Sequence, residues 1–169
     1  MNSVIFIRHG QSLANVNHKY YHVPECANIL TATGVDQCLE LRDQMPKLMD
    51  EDYFYSHTTV IASRFTRAQI TAKIVMSNTK YDILIDARLN ETIHKAEHEP
   101  IELEGNVIAR VRSLVEQYEG SNLILFTHGM LMGTIDPTRG NAKNGEARKY
   151  DRDDFLRNYV KRKVIWTST

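Results

Sequence analysis

Short apolar runs recur along the chain, and polar residues follow each of them directly. Four runs of this kind occupy residues 3–7, 58–62, 81–85 and 122–126. Continuous apolar runs of this length are typical of strands that are buried on both faces, as in a sheet covered by helices. The pattern therefore predicts four buried strands.

Between these runs, apolar residues recur at helical spacing. The spacing predicts helices over residues 35–49, 66–76 and 104–118, and a short buried helix over residues 129–135. Pro46 is expected to kink the first helix or to end it early, because proline lacks a backbone N–H. Strands that alternate with helices predict an α/β fold, a three-layer α/β/α sandwich with a mostly parallel central sheet.

The last part of the chain has a weaker pattern. Proline, glycine and asparagine residues predict a loop over residues 136–145. A helix is expected over residues 148–161 and a last strand over residues 164–166. We expect residues 1–169 to form one domain, since this length is enough to bury a core without metal ions or disulfides.

Composition and charge exclude several classes of protein. The chain has 21 basic and 21 acidic side chains and no formal net charge, which argues against binding to nucleic acid through bulk positive charge. Its apolar runs are too short for a transmembrane helix or a signal peptide, so we expect a cytoplasmic protein with no membrane partner. The two cysteines are too few for a disulfide framework and are expected to be reduced. The sequence does not determine the oligomeric state.

Arginines and histidines are prominent among the residues that follow the predicted strands. The residues just past the strands include Arg8, His9, Ser63, Arg64, Arg67, Arg88, Glu91 and His128. In open α/β sheets ligands bind beyond the carboxyl ends of the strands, so these side chains are expected to share one site. Arginine offers forked donors that match phosphate oxygens, and a nearby histidine can act as a nucleophile or as an acid and base. The pattern therefore predicts a phosphate-binding site.

Five motifs resemble, in the same order, those of the histidine phosphatase superfamily, which is also called phosphoglycerate mutase-like. They fall within residues 4–129. The motifs are Arg8-His9-Gly10-Gln11-Ser12-x-x-Asn15, Leu30-Thr31-x-x-Gly34-x-x-Gln37, Ser63-x-Phe65-x-Arg67-Ala68-x-x-Thr71-Ala72, Leu89-Asn90-Glu91 and Thr127-His128-Gly129. The resemblance implies a phosphoglycerate mutase-like fold.

The resemblance also implies roles for these residues. His9 would attack the substrate phosphorus and form a phosphohistidine, while Glu91 would protonate the leaving oxygen and then help to activate water. The implied catalytic residues are His9, Glu91, His128, Arg8 and Arg67. The implied contacts to phosphate or substrate come from Arg8, Asn15, Arg67, His128 and Gly129. No metal ion or other cofactor is expected, because the arginines and histidines supply the positive field.

The leading hypothesis is a phosphatase that acts on a phosphomonoester of a small metabolite. A protein phosphohistidine phosphatase is the first alternative, but compact enzymes of that kind tend to lack the donor glutamate that Glu91 provides. A mutase-type phosphotransferase is the second, but the chain lacks the larger insertion with which the mutases cover their substrate. A non-catalytic module that binds a phosphate ligand belongs to a different class, and the complete set of site residues argues against it.

Three further features have more than one interpretation. His94-Lys-Ala-Glu97-His98 has the H-x-x-E-H form of a zinc protease motif, but Pro100 follows at once, which favours a loop that faces the substrate. His18 and His22 belong either to the rim of the site or to an ordinary loop. Residues 139–163 hold nine basic and four acidic side chains, which form a solvated surface or a basic rim that attracts an anionic substrate or touches a partner.

Overall fold

One sheet lies at the centre of the computed structural model, which describes residues 2–55, 57–92 and 102–161. Its strands are β1 (Ser3–Arg8), β2 (Thr58–Ala62), β3 (Ile83–Ile85), β4 (Asn122–Thr127) and β5 (Ala147–Asp151). Within the described residues they lie in the order β3-β2-β4-β1-β5. The first four strands run parallel, and β5 pairs with β1 in the antiparallel direction.

The apolar runs form the parallel strands because both faces of the sheet are covered. In β1, Ile5 and Ile7 contribute to one core cluster, whereas Val4 and Phe6 contribute to the other. Successive side chains of a strand point to opposite faces, so a strand that is buried on both sides needs apolar residues at every position. All four predicted strands are present, but the prediction that the third of the four, β3, is buried is wrong: it is shortened to Ile83–Ile85, and Leu84 and Ile85 are exposed at the edge of the sheet.

Helices pack on both faces of this sheet and make three layers. The helices are α1 (Leu13–Val16), α2 (Ala32–Tyr55), α3 (Thr66–Val75), α4 (Glu104–Gln117), α5 (Gly129–Ile135) and α6 (Arg152–Asn158). Helices α2 and α3 pack on one face, and α4, α5 and α6 pack on the other. The predicted α/β/α sandwich is thus confirmed. No helix in the described ranges is both long and apolar enough to cross a membrane.

Helix α2 is longer than predicted at both ends. It begins at Ala32 because the Thr31 hydroxyl accepts a hydrogen bond from the backbone N–H of Gly34 at 3.0 Å and caps the first turn. The helix also continues through Pro46 to Tyr55, so the prediction of an early end is wrong. Pro46 lies on the exposed side of the helix, while Met45 is buried against the sheet. Packing of the apolar side outweighs the lost hydrogen bond.

The predicted helix over residues 148–161 is wrong in its first part. Residues 147–151 form β5, in which Arg148 and Tyr150 are buried and the other three residues are more exposed. That alternation is the period of a strand, but a buried arginine disguises it. Arg148 is buried because its Nε donates to the Glu146 carboxylate at 2.8 Å. The helix starts only at Arg152, and the expected strand over 164–166 lies outside the described residues.

Helix α2 approaches the loop after β1 closely at Gly34, and a substitution there tests this contact. A Cβ atom at this position would lie 2.0 Å from the backbone oxygen of Gln11, whereas a Cβ atom at Gly105 in α4 would meet nothing within 4 Å. We expect Gly34→Ala to lower the free energy of unfolding by about 1–3 kcal/mol, because backbone atoms must shift. Gly105→Ala is the matched control, and we expect it to leave stability unchanged or raise it by up to about 1 kcal/mol. Urea unfolding of both variants measures this difference, and equal stabilities would contradict the close approach.

Candidate functional site

The pairing of β1 with β4 brings two histidines together. Arg8 and Thr127 are register partners at the ends of these parallel strands, so His9 and His128 follow side by side. Their ring centroids are 5.2 Å apart, and both side chains are buried. The first and last of the five motifs, which contain His9 and His128, therefore form one site at the carboxyl end of the sheet.

His9 is held as a neutral imidazole with a defined tautomer. Its Nδ1 lies 2.7 Å from the carbonyl oxygen of Gly10, which can only accept, so Nδ1 carries the proton. The other ring nitrogen, Nε2, accepts a hydrogen bond from Nε of Arg67 at 3.2 Å. Burial, together with the charges of Arg67 and Arg8, lowers the pKa of His9 to about 3. At neutral pH, Nε2 therefore offers a lone pair.

The backbone around His9 is fixed from three directions. The amide N–H of Gly10 donates to the Thr71 hydroxyl at 3.0 Å. The carbonyl oxygen of His9 accepts from the backbone N–H of Gly145 and from Nδ2 of Asn144, each at 3.2 Å. A Cβ atom on Gly10 would lie 2.5 Å from a backbone oxygen of α2, so only glycine permits this approach.

Two arginines supply positive charge beside His9. Arg67, on α3, is buried, and one of its Nη atoms forms an ion pair with Glu25. Arg8, at the end of β1, donates through Nη1 to the carbonyl oxygen of Ala142 at 2.5 Å. Its Nε is buried and has no hydrogen-bond partner in the described part of the chain. The guanidinium of Arg8 therefore retains a donor that a ligand can use.

His128 is bound on one side of its ring only. Its Nε2 lies 2.8 Å from the Ser63 hydroxyl, whereas its Nδ1 is buried without a partner among the described residues. Burial and the nearby positive charges of the site hold the pKa of His128 well below its usual range. The Phe65 ring packs against His128 edge-on, with centroids 5.1 Å apart.

The carboxylate of Glu91 lies at the first turn of α5, the helix that begins directly after His128. Its carboxylate accepts hydrogen bonds from the backbone N–H groups of Met130 at 3.2 Å and Leu131 at 2.9 Å. A third comes from the N–H of Thr92 at 2.9 Å. The short turn Ala87–Leu89 leads into this position from β3. The predicted carboxylate is therefore held at the start of the helix that follows His128, and its charge acts on Arg8.

Hydrogen bonds to neighbouring residues hold the side chain of Asn15 at the site. Its amide oxygen accepts from the backbone N–H of Ser12 at 2.9 Å and from Nδ2 of Asn144 at 3.1 Å. Because the oxygen is used in this way, the amide nitrogen of Asn15 is the group that a phosphoryl oxygen would use. Gly129 lies against Arg8, since a Cβ atom there would be 3.0 Å from the guanidinium carbon. Both predicted binding residues are thus near the histidine pair.

Other residues from the strand ends do not join this group. Arg88 binds the Asp86 carboxylate and also reaches Gln117 on α4. Arg64 is exposed, and only its backbone N–H, which donates to Asn90, is tied to the site. His94 and His98 lie outside the described residues. Within the described ranges, no three histidine, cysteine or acidic side chains are arranged to hold a metal ion.

Sequence reasoning missed two contributors to the site, Glu25 and Asn144. Glu25 lies in a 3-10 turn, Glu25–Ala27, and its carboxylate occupies one of the donors of Arg67. Partial burial raises the pKa of Glu25 above its usual range. No local signal marks this contact, because it depends on how the loop after α1 folds back. Asn144 precedes Gly145, whose φ of 71° requires the left-handed conformation, so the Asn-Gly pair did mark the turn.

Several solved structures have the same fold as this chain. One is mycobacterial glucosyl-3-phosphoglycerate phosphatase in complex with VO3, with a TM-score of 0.68, 18% identity, and coverage of 88% of this chain and 92% of that one. Another, named mycobacterial hydrolase 1, has a TM-score of 0.67, 18% identity, and coverage of 88% of each chain. YhfR of Bacillus stearothermophilus has a TM-score of 0.62, 20% identity, and coverage of 82% of this chain and 79% of that one. At these identities the likeness shows the fold.

The family is shown by a match to the sequence itself. No curated protein matches the chain. The model of the histidine phosphatase superfamily (branch 1) matches residues 4–101, which is more than half of the chain. That range contains the motifs of His9 and Arg67, together with Glu91. The chain therefore belongs to the histidine phosphatase superfamily.

Proposed function

We propose that the protein is a metal-independent phosphatase that hydrolyses a phosphomonoester of a small metabolite through a phosphohistidine on His9. The observation that carries the proposal is the unprotonated Nε2 of His9, which lies 3.2 Å from a buried guanidinium nitrogen of Arg67. A nucleophile beside a fixed arginine fork is the arrangement that transfer of a phosphoryl group needs. The similar mycobacterial structure is named as a phosphatase, which supports the same class of reaction.

In the first step, Nε2 of His9 attacks phosphorus in line with the leaving oxygen. A nitrogen–phosphorus bond forms as the bond to the leaving oxygen breaks, and Glu91 transfers a proton to that oxygen. Arg8, Arg67 and His128 hold the phosphoryl oxygens, where negative charge builds up. Donors that are already in place stabilise this charge without having to reorganise during the reaction.

In the second step, water attacks phosphorus and the bond to His9 breaks. Glu91, now ionised, accepts a proton from that water, and His9 returns to its neutral form. Asn15, in the motif of His9, and Gly129, directly after His128, contact the phosphate. The arginines supply the positive charge that a metal ion supplies in other phosphatases. We place this reaction in the cytoplasm, with a small phosphorylated molecule as substrate and no nucleic acid or membrane as partner.

The position of Glu91 favours an ester substrate over a phosphohistidine. An alkoxide is a poor leaving group and needs a proton as the bond to phosphorus breaks. The carboxylate of Glu91 lies at the first turn of α5, where it accepts from the N–H of Leu131, and we place the leaving oxygen of an ester beside it. We therefore rank protein phosphohistidine phosphatase, mutase-type phosphotransferase and non-catalytic binding module below ester hydrolysis.

His9→Ala tests the nucleophile. We expect turnover of an aryl phosphate to fall by at least about a thousandfold, because the variant lacks the nitrogen that forms the covalent intermediate. The wild-type protein should give an acid-labile phosphoenzyme and should keep its activity in a metal chelator. His57→Ala removes an exposed histidine before β2 and serves as the control. Turnover that survives His9→Ala, or that disappears with the chelator, would contradict the proposed reaction.

Glu91→Gln tests the proton donor through the choice of leaving group. For an alkyl phosphate, the rate of the first step should fall by about 10²–10⁴, whereas for a nitrophenyl phosphate it should fall much less, because nitrophenolate leaves without a proton. Rapid-mixing measurement of the first turnover separates this step from attack by water. The exposed Glu119 gives a matched control, Glu119→Gln. Equal losses for the two substrates would assign Glu91 a structural role instead.

Glu25→Gln tests whether a carboxylate of the chain competes with phosphate for Arg67. Glu25 is 38% exposed, so water screens its ion pair with Arg67. We expect the inhibition constant for inorganic phosphate at neutral pH to fall by about two- to fivefold, with a smaller change in kcat. Glu119→Gln is again the control, and steady-state inhibition is the measurement. An unchanged or weaker affinity for phosphate would place Glu25 outside the competition.

A further inference from the structure

A chain of three polar side chains lies behind the second histidine. We propose that Asn90 and Ser63 hold His128 in the tautomer with its proton on Nε2, so that His128 takes up a second proton, on Nδ1, when a phosphoryl group binds. Asn90 and Ser63 are then positioning residues that act through His128. The proposal rests on the proposed function, in which His128 binds phosphoryl oxygens.

The direction of the hydrogen bonds is set at Asn90. Its side-chain oxygen lies 3.0 Å from the backbone nitrogen of Arg64, which can only donate. The atom of Asn90 that faces this nitrogen is therefore the acceptor, the amide oxygen. The same oxygen lies 3.0 Å from Oγ of Ser63. Because Asn90 accepts there as well, the single hydroxyl proton of Ser63 points to Asn90.

Ser63 then imposes the tautomer on His128. Its Oγ also accepts from the backbone N–H of Phe65 at 3.2 Å. Because its proton is already given to Asn90, Oγ can only accept from Nε2 of His128, which lies 2.8 Å away. Nε2 must therefore carry a proton. In a neutral imidazole this leaves Nδ1 with a lone pair and no proton.

The groups around His128 keep its ring neutral in the absence of phosphate. The groups that act on its charge are Arg8 from β1, His9 after it, Arg67 from α3 and Arg110 from α4. Glu91 is the acidic residue whose carboxylate lies at the start of α5, and backbone N–H groups of that helix take up this carboxylate. Positive neighbours and burial both oppose a second proton on the ring.

A phosphoryl dianion reverses this balance. With Nε2 tied to Ser63, Nδ1 is the ring nitrogen left for a ligand, and it is buried without a partner among the described residues. A lone pair on Nδ1 would repel a phosphoryl oxygen, whereas an N–H would donate to it. The two negative charges that arrive with the ligand also favour the imidazolium. Binding of phosphate and protonation of His128 are therefore coupled.

Nitrogen-15 NMR of the full chain with labelled histidine tests the tautomer directly. The His128 signal is assigned by its loss in His128→Asn, and His9 gives an internal reference with the opposite tautomer. Without phosphate, we expect a proton on Nε2 of His128 and none on Nδ1; with saturating inorganic phosphate, we expect protons on both. A proton on Nδ1 in the free protein, or a neutral His128 ring in the complex, would overturn the proposal.

Variants of Asn90 and Ser63 provide a second test. Asn90→Ala and Ser63→Ala each release His128 from the imposed tautomer, so Nδ1 can carry the proton of a neutral ring. Asn90→Asp keeps the acceptor and should restore the wild-type tautomer in the phosphate-free protein. The two alanine variants provide independent tests should one of them fold poorly. If both alanine variants keep the wild-type tautomer of His128, the proposal is overturned.

Calorimetry with inorganic phosphate in buffers of different ionisation enthalpy measures the coupled proton. We expect the wild-type protein to take up about one proton more than either alanine variant. Equal uptake would overturn the proposal. A failure of the proposed function can be told apart from a failure of this proposal. If Nδ1 becomes protonated when phosphate binds, but no phosphomonoester is hydrolysed, the proposed enzyme is refuted while the role of Asn90 and Ser63 is supported.

Discussion

The parallel pairing of β1 with β4 is the constraint on which the rest of the site depends. It places Arg8 opposite Thr127, so that the chain leaves both strands at one edge and sets His9 beside His128. The strands can pair at the centre of the sheet because apolar side chains cover both of its faces. Glycine at position 10 then lets α2 approach the turn after β1. A shift of one residue in this register would send one histidine to the wrong face.

The second requirement is electrostatic, since two guanidinium groups and two imidazoles are buried together. Such a group is stable without a ligand only if its charge is reduced or paired. Burial keeps both histidines neutral. Arg67 pairs with Glu25, and Arg8 donates to a backbone carbonyl. The neutral net charge of the whole chain says nothing about this site, because its positive charge is local and is offset by acids of the chain itself.

The sequence allowed the parallel strands and most of the site to be predicted, because both follow from local patterns. Continuous apolar runs mark buried strands, and the residues that follow them meet at one sheet edge. Residues 147–151 were mistaken for a helix because the buried Arg148 hides the apolar alternation of a strand, and the antiparallel pairing with β1 that makes them β5 is a long-range contact that no periodicity reveals. The effect of Pro46 was misjudged because burial of the opposite side of α2 outweighs the hydrogen bond that the proline removes. Glu25 could not be found because its contact with Arg67 depends on how a loop folds back.

The two histidines differ in the partners that fix their protons, and this difference decides their chemistry. A carbonyl oxygen holds the proton of His9 on Nδ1 and leaves a lone pair on Nε2 for attack. A serine that has given away its own proton would hold that of His128 on Nε2 and leave Nδ1 to gain one when phosphate arrives. One ring would then act as a nucleophile and the other as a cationic donor, at the same pH and in the same burial. A nucleophile needs a lone pair and a donor to the phosphoryl oxygens needs a proton, so the reaction requires that the two histidines have different hydrogen-bond partners.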